Sequence, residues 1–272
     1  MASPHVLVTG ASTGIGRACA DALHHRGFTV HGSVRREEDA DALRDAGIRP
    51  VVFDVTDDDA VATGVEHVRA AADGNLRGVV ANAGIAVAGP IEELAVEDLR
   101  HQLDVNVLGV HRTVAPLIGD LCATRGRIVL MSSVSGRIGM PFVGAYNASK
   151  FALEGYGDAL RRELAPHGVE VVLVEPGQIA TPIWDKMPSD DEFDTIGERY
   201  ADRSRKMARG MLAGARQAPP ASAVADVVVE ALTVKRPRTR YALPRDSAVM
   251  ASVLPRLPDR LADRVIGSQL PD

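Results

Sequence analysis

Short runs of apolar, mostly β-branched residues alternate with longer stretches of helical periodicity, and that alternation leaves few folds open. The runs are "HVLVT" (5–9), "FTVHGSV" (28–34), "PVVFDV" (50–55), "RGVVAN" (77–82), "RIVLMSS" (127–133) and "VEVVLVEP" (169–176). Between them the patterns predict helices over 14–26, 57–73, 96–121 and 146–166. Several runs are almost continuously apolar, as strands covered on both faces must be. Strand and helix in strict alternation call for a parallel sheet with right-handed crossovers. The expected architecture is an α/β fold with a doubly wound parallel sheet, whose ligands lie at the carboxyl ends of the strands.

The 272 residues are expected to form a single domain. Two segments break the alternation. From Thr181 to about Pro220 the chain is helical in character but polar, and reads as a lid over the site. The tail from about 250 to 272, with "LPRLPDRLADRVIG", reads as a short amphipathic helix that packs rather than inserts into a membrane.

A net charge of −5 argues against a nucleic-acid or anionic-membrane partner. The eight histidines show no metal-ligand spacing, and no metal site is expected. Cys19 and Cys122 fall within predicted helices and read as buried thiols of a reducing compartment. No targeting segment or spanning stretch is visible, so a cytoplasmic location is expected.

"VTGASTGIGRA" follows the first strand and opens the first helix, with glycines at 10, 14 and 16. Glycines there permit a tight turn and close approach of backbone N–H groups to a pyrophosphate at a helix N-terminus. The second strand ends "GSVRRE", with Val34, Arg35 and Arg36 where many NAD sites carry an acid. Arginine suits a 2′-phosphate, although this cluster also reads as solvated helix-start charge. Asp54 has the chemistry to accept from an adenine amino group, or to cap a strand end.

Further along, "MSSVSGRIGMPFVGAYNASK" places Ser133 thirteen residues before Tyr146, with Lys150 four residues after it. Four residues is one helical turn, so Tyr146 and Lys150 share a face. Alone, such a pair is as consistent with a solvated helix surface, and Ser133 with a strand-end cap. Asn106 stands in mid-helix, a poor place for asparagine, and signals a polar role or a local distortion.

Together these residues resemble the short-chain dehydrogenase/reductase family. Thr9-Gly10-x-x-x-Gly14-Ile15-Gly16 is similar to its cofactor turn, Ala81-Asn82-Ala83-Gly84 to its Asn-Ala-Gly motif, and Pro176-Gly177 with Thr181 to the motif after the sixth strand. Asn106, Ser133, Tyr146 and Lys150 match its catalytic tetrad. "YNASKFALEG", "PGQIATPIW" and "ALTVKRPRTRY" more loosely resemble the steroid- and retinol-dehydrogenase-like branch. The resemblance implies a Rossmann-type sheet of about seven strands with a helical substrate lid. It implies NADP(H), with NAD(H) as the alternative, bound by Thr9, Gly10, Ser12, Thr13, Gly14, Ile15, Gly16, Arg35, Asp54, Val55, Asn82, Ala83, Gly84, Asn106, Tyr146, Lys150, Pro176, Gly177, Ile179 and Thr181. Tyr146 would be the acid/base, Lys150 would also hold the nicotinamide ribose, Ser133 would bond the substrate oxygen and Asn106 would position a water. A homodimer or homotetramer pairing through 96–121 and 146–166 is implied as well.

Magnitudes favour the tyrosine. A phenol must drop roughly three pKa units, about 4 kcal/mol, to titrate near neutrality. One cation about 5 Å away at an effective dielectric near 20 supplies about 3 kcal/mol. Lys150 is therefore expected to lower Tyr146. The activity expected is interconversion of an alcohol and a carbonyl on a bulky apolar small molecule. Ile183, Trp184 and Met187 would roof the pocket, with Met140 and Phe142 beside it, unless they only pack the lid to the body. A cofactor-binding sensor without turnover is the alternative from another class. A serine hydrolase is disfavoured because "MSSVSG" is no nucleophile elbow.

Overall fold

The computed structural model describes residues 3–186 and 196–268. Seven strands, His5–Val8 (β1), Thr29–Val34 (β2), Arg49–Val52 (β3), Leu76–Ala81 (β4), Arg127–Met131 (β5), Glu170–Pro176 (β6) and Arg240–Leu243 (β7), form one parallel sheet. Its order is β3-β2-β1-β4-β5-β6-β7, so the chain reverses direction across the sheet between β1 and β4. In doubly wound sheets ligands bind at that point, beyond the carboxyl ends of the strands.

The strands bury both faces, and residue parity decides which side chain goes where. Val6, Val8, Val30, Val80, Val129 and Val172 pack one way, against α1 (Gly14–His25) and a late helix, Ala221–Thr233. Leu7, Val79, Ile128, Leu130, Val171 and Leu173 pack the other way, under α3 (Asp58–Ala72) and α7 (Gly144–Leu164). Asp57 starts α3 by accepting the Ala60 N–H at 2.9 Å. Arg127 caps the far end of Ala221–Thr233 by donating to the carbonyls of Ala231, at 2.6 Å, and Val234.

The predicted helix over 96–121 is not continuous. It runs as α4 (Val96–Leu103), a π-turn (Asp104–Leu108), α5 (Gly109–Val114), a 3₁₀ turn (Ala115–Leu117) and α6 (Ile118–Thr124). A short α2 (Glu38–Asp45) occupies the charged stretch after β2. The polar segment read as a lid contains α8 (Glu198–Gln217), and Ala221–Thr233 follows as α9. The tail holds α10 (Arg245–Val253) and α11 (Asp259–Gly267), which pack through Ala251, Leu254, Leu257 and Val265 on Ile138 and Met140. Met140 thus serves this tail contact. No described helix is long and apolar enough to cross a membrane. Cys19 is buried, which pushes its thiol up to about 12, while Cys122 is only half-buried; both are free thiols.

One buried group makes the fold acid-sensitive. His31 on β2 is fully buried, with Nε2 3.0 Å from Nδ1 of His5. Burial, and then the charges of His5, Arg49 and His67, pull it down to about 4. A depressed histidine stays neutral when folded but takes a proton when unfolded, so stability falls as pH drops from about 6.5 towards 4. Between pH 7.5 and 5 the loss from His31 is about 2 kcal/mol. Urea midpoints at the two pH values should differ less in His31→Gln than in the wild type. An equal difference would remove His31 as the cause.

Candidate active site

The glycine turn is held from both sides. Thr9 Oγ1 accepts from the N–H groups of Asn82 and Ala83, each at 2.9 Å, and Asn82 Nδ2 donates to the Thr9 carbonyl at 2.9 Å. Thr9 and Asn82 therefore stitch the turn after β1 to the end of β4. Gly14 has φ +58, which side chains rarely adopt. A Cβ on Gly16 would stand 2.1 Å from the Gly10 carbonyl oxygen, so only glycine lets α1 start this close to β1. Gly10 N–H donates to Ser33 Oγ at 3.1 Å, and Ser12 and Ile15 are half-buried along the turn.

The start of α1 fits an anion. Thr13 is its N-cap yet makes no side-chain cap bond, and the first turn carries no acid. Uncapped first-turn N–H groups and the positive end of the helix dipole are what a phosphate needs. Thr181 closes the other side: its Cβ is 3.6 Å from where a Gly14 Cβ would be.

Arg35 follows β2 and is exposed. Glu37 pairs with Arg44 at 2.7 Å, and Arg36 pairs with Asp39 at 3.1 Å and Glu38 at 3.9 Å. Among the described residues, none of the ion pairs involves Arg35. Asp54 lies beyond β3, which stops at Val52, and accepts from Thr56 N and Oγ1 at 2.9 and 2.7 Å. Burial opposes its charge, but the Thr56 bonds and the nearby Arg35 hold its carboxyl below the usual range. Val55 and Ile179 turn their side chains into the core, so a ligand could meet only their backbones. Gly177 N–H donates to the Leu243 carbonyl at 2.7 Å, fixing the end of β6, and Pro176 is its last residue.

Three of the four expected tetrad residues, Ser133, Tyr146 and Lys150, lie together, and Asn106 is linked to them through Ser149. Lys150 Nζ donates to the Met131 carbonyl at 2.8 Å and stands 5.6 Å from the centroid of the Tyr146 ring. Ser133 Oγ donates to the Pro176 carbonyl at 3.1 Å and lies beside the Tyr146 phenol. Ser135 N–H donates to the same Ser133 oxygen at 3.1 Å. Asn106 explains the π-turn. Its Oδ1 accepts from Ile85 N at 2.9 Å, and Nδ2 donates to Ile85 O and Ser149 Oγ, both at 3.0 Å. Ser149 in turn donates to the Tyr146 carbonyl at 2.7 Å. Both readings of Asn106 therefore hold: a local distortion with a polar role. Its amide is engaged with Ile85 and Ser149, which ties the segment after Gly84 to α7.

The electrostatics differ from the sequence expectation in one respect. Burial raises the Tyr146 phenol, and the neighbouring Ser133 hydroxyl works against that rise without cancelling it. Burial also pulls Lys150 down to about 8, opposed by the charge of Glu154. Lys150 stays mostly an ammonium at neutral pH, but burial is the first influence on the phenol. The phenol is accordingly held protonated through neutral pH.

Sequence reasoning missed several residues around this centre. Gln102, fully buried and one turn before Asn106, accepts from Val87 N at 2.7 Å and donates to Ile85 O at 2.9 Å. Its signal was available as a second amide four residues away on the same helix face. The start of α8 is docked by Glu92, which pairs with Arg199 at 3.0 Å and accepts from Tyr200 OH at 2.6 Å, and by Glu93, which accepts from Gly197 N at 3.2 Å. The Tyr200 ring meets Phe142 edge-on at 6.4 Å, and Phe142 has φ +60. A bulky residue in that conformation is strained, and such strain gathers at ligand clamps. Trp184 donates to the Ile179 carbonyl at 2.6 Å, whereas Ile183 is exposed; Met187 lies outside the described residues.

The family described as short chain dehydrogenase matches residues 4–192. An NADPH-dependent 3-dehydrocapnine reductase of Ornithobacterium rhinotracheale is 36% identical, over 98% of this chain and 97% of its own. Human retinol dehydrogenase 16 is 33% identical, over 96% of this chain and 87% of its own. The crystal structure of a short-chain dehydrogenase from Streptomyces avermitilis superposes with a TM-score of 0.82 at 28% identity, covering 99% of this chain and 98% of that one. By sequence, sheet order and site geometry together, the chain belongs to the short-chain dehydrogenase family of NAD(P)-dependent oxidoreductases.

Proposed function

We propose that the protein interconverts a carbonyl and an alcohol on a bulky apolar small molecule, using NADP(H), with Tyr146 as acid/base. The observation that carries this reading is the convergence of Tyr146, Ser133 and Lys150 at the carboxyl ends of β5 and β6. When bound, the dinucleotide supplies or accepts the hydride. Everything else is the work of the chain. The turn at 10–16 and the open start of α1 receive the pyrophosphate, and Lys150 holds the ribose near Tyr146. Ser133 donates to the substrate oxygen, and Tyr146 gives that oxygen its proton in reduction or takes it in oxidation. Because burial keeps the phenol protonated, the site is set for reduction near neutral pH, and oxidation should accelerate as pH rises. Asn106, its amide engaged within the π-turn, would position a relay water.

The pocket would be bounded by Phe142, Tyr200 and Trp184. Subunits would pair through the helices around 96–121 and 146–166, where Leu108 and Phe151 are 49% and 47% exposed. A panel of apolar ketones, incubated with NADPH and followed by nicotinamide absorbance, tests the activity. No turnover on any of them, with cofactor still bound, would favour a non-catalytic dinucleotide sensor.

Cofactor choice rests on Arg35, supported by the relative described as NADPH-dependent. Glu37 and Glu38 are engaged elsewhere, so the guanidinium is open to a 2′-phosphate. One charge-assisted hydrogen bond contributes roughly 1.5–3 kcal/mol, about tenfold or more in preference. Arg35→Ala should lower the NADPH-over-NADH ratio of kcat/KM by that factor, mostly through KM. A wild type that prefers NADH would make Arg35 a solvated charge only.

A further inference from the structure

A cluster of buried charge behind the site has no part in the reaction as assigned above. Glu154 is on α7, one turn beyond Lys150, and is 7% exposed. Its Oε2 accepts from Arg240 Nε at 3.0 Å. Glu175, the residue before Pro176, is 3% exposed and stands 3.1 Å from the same Arg240 nitrogen and 3.3 Å from Arg137. Arg240 also donates to Asp158 at 2.8 Å. The charged groups facing Glu154 are thus Lys150 and Asp158 from α7, Glu175 from β6, Arg240 from β7 and Arg137 from the turn after β5.

Burying carboxylates is costly unless each is matched by a cation and hydrogen bonds. Arg240 is shared among three acids, and Arg137 serves only Glu175. Glu154 Oε1 is buried with no hydrogen-bond partner among the described residues. The remaining cation one turn away is Lys150, whose own burial works against its charge. Solvent is kept out from above. A Cβ on Gly136, in the turn after Ser133, would meet the Lys150 carbonyl at 2.9 Å and Glu154 Cγ at 3.0 Å. In such an enclosed place a single charge acts strongly on its neighbour. The same cluster reaches Ser133, because Glu175 fixes the backbone whose next carbonyl, that of Pro176, accepts the Ser133 hydroxyl.

We propose that Glu154 is a positioning residue for the reaction proposed above: its buried carboxylate keeps Lys150 an ammonium behind Tyr146, and Arg240 with Glu175 holds that carboxylate in place. Glu154→Gln preserves shape and the bond to Arg240 but removes the charge. In the full-length protein with isotope-labelled lysines, NMR can follow Lys150 beside Lys186, Lys206 and Lys235, with Lys150→Arg giving the assignment. The Lys150 titration midpoint should fall by at least about one pH unit in Glu154→Gln and by less in Glu154→Asp. The alkaline limb of kcat/KM for ketone reduction should move down with it. A midpoint in Glu154→Gln equal to the wild type would overturn the proposal. Should that variant fail to fold, a Glu154→Asp midpoint no lower than wild type would do the same. The titration needs no substrate, so absence of turnover would count against the proposed reaction while Lys150 still reports on Glu154.

Discussion

Tyr146→Phe should lose roughly a hundredfold to ten-thousandfold of turnover, the range over which a positioned proton donor contributes. The substitution removes one oxygen and leaves the ring against Lys150, whose amine bonds the Met131 carbonyl independently of the phenol. Reduction places a hydride on the carbonyl carbon, and the developing negative charge on oxygen must then be met by a proton. Ser133 can offer a hydrogen bond, but its own proton is directed to the Pro176 carbonyl. With the phenol gone, water becomes the donor. Stopped-flow measurement of the reduction rate, beside cofactor affinity by fluorescence, separates chemistry from binding. A variant that reduces ketones at the wild-type rate would remove Tyr146 from the mechanism.

The second large effect is expected from Lys150→Ala. Its ammonium acts over 5.6 Å on the Tyr146 ring, and a unit charge at about that distance is worth about 3 kcal/mol at an effective dielectric near 20. That corresponds to about a hundredfold in rate. Cofactor affinity should fall as well, if the same amine holds the ribose as proposed. Its removal also leaves the buried Met131 carbonyl without its donor, a cost of about 1–3 kcal/mol, so the melting temperature must be followed in parallel. The pH at which oxidation becomes fast should rise, because the phenolate loses its nearby cation. An unchanged pH profile together with unchanged cofactor affinity would refute both roles of Lys150.

The alternation of apolar runs and helices was enough to read the sheet, because strands covered on both faces carry an unbroken apolar signal that a half-exposed strand lacks. β7 escaped for that reason. Arg240 and Tyr241 belong to an edge strand whose burial is partial, and no continuous apolar run marks it. The site was legible where function depends on neighbours in sequence, as in the glycine turn and the pair Tyr146 and Lys150. It was illegible where distant segments meet. Nothing local links Glu154 to Arg240, or Glu92 to Tyr200; only the folded chain brings them together. The net effect on the phenol was misjudged because spacing reveals a charge but not its burial, and burial is the first influence on both Tyr146 and Lys150.

The sheet order also dictates a timetable. β1 is synthesised first but occupies the middle of the sheet, and one of its two partners, β4, emerges only after three helices and two further strands. Pairings of such long sequence separation close slowly, and exposed strand edges invite association in the meantime. The nucleotide turn is therefore not finished when Gly16 leaves the ribosome. It waits for Asn82, whose backbone and side chain lock Thr9. The reacting centre waits longer still, since the buried acid beside Lys150 receives its arginine from β7, near the end of the chain. A nascent or truncated chain that stops before Arg240 would thus lack both the arginine that anchors Glu154 and the Leu243 carbonyl that fixes the end of β6.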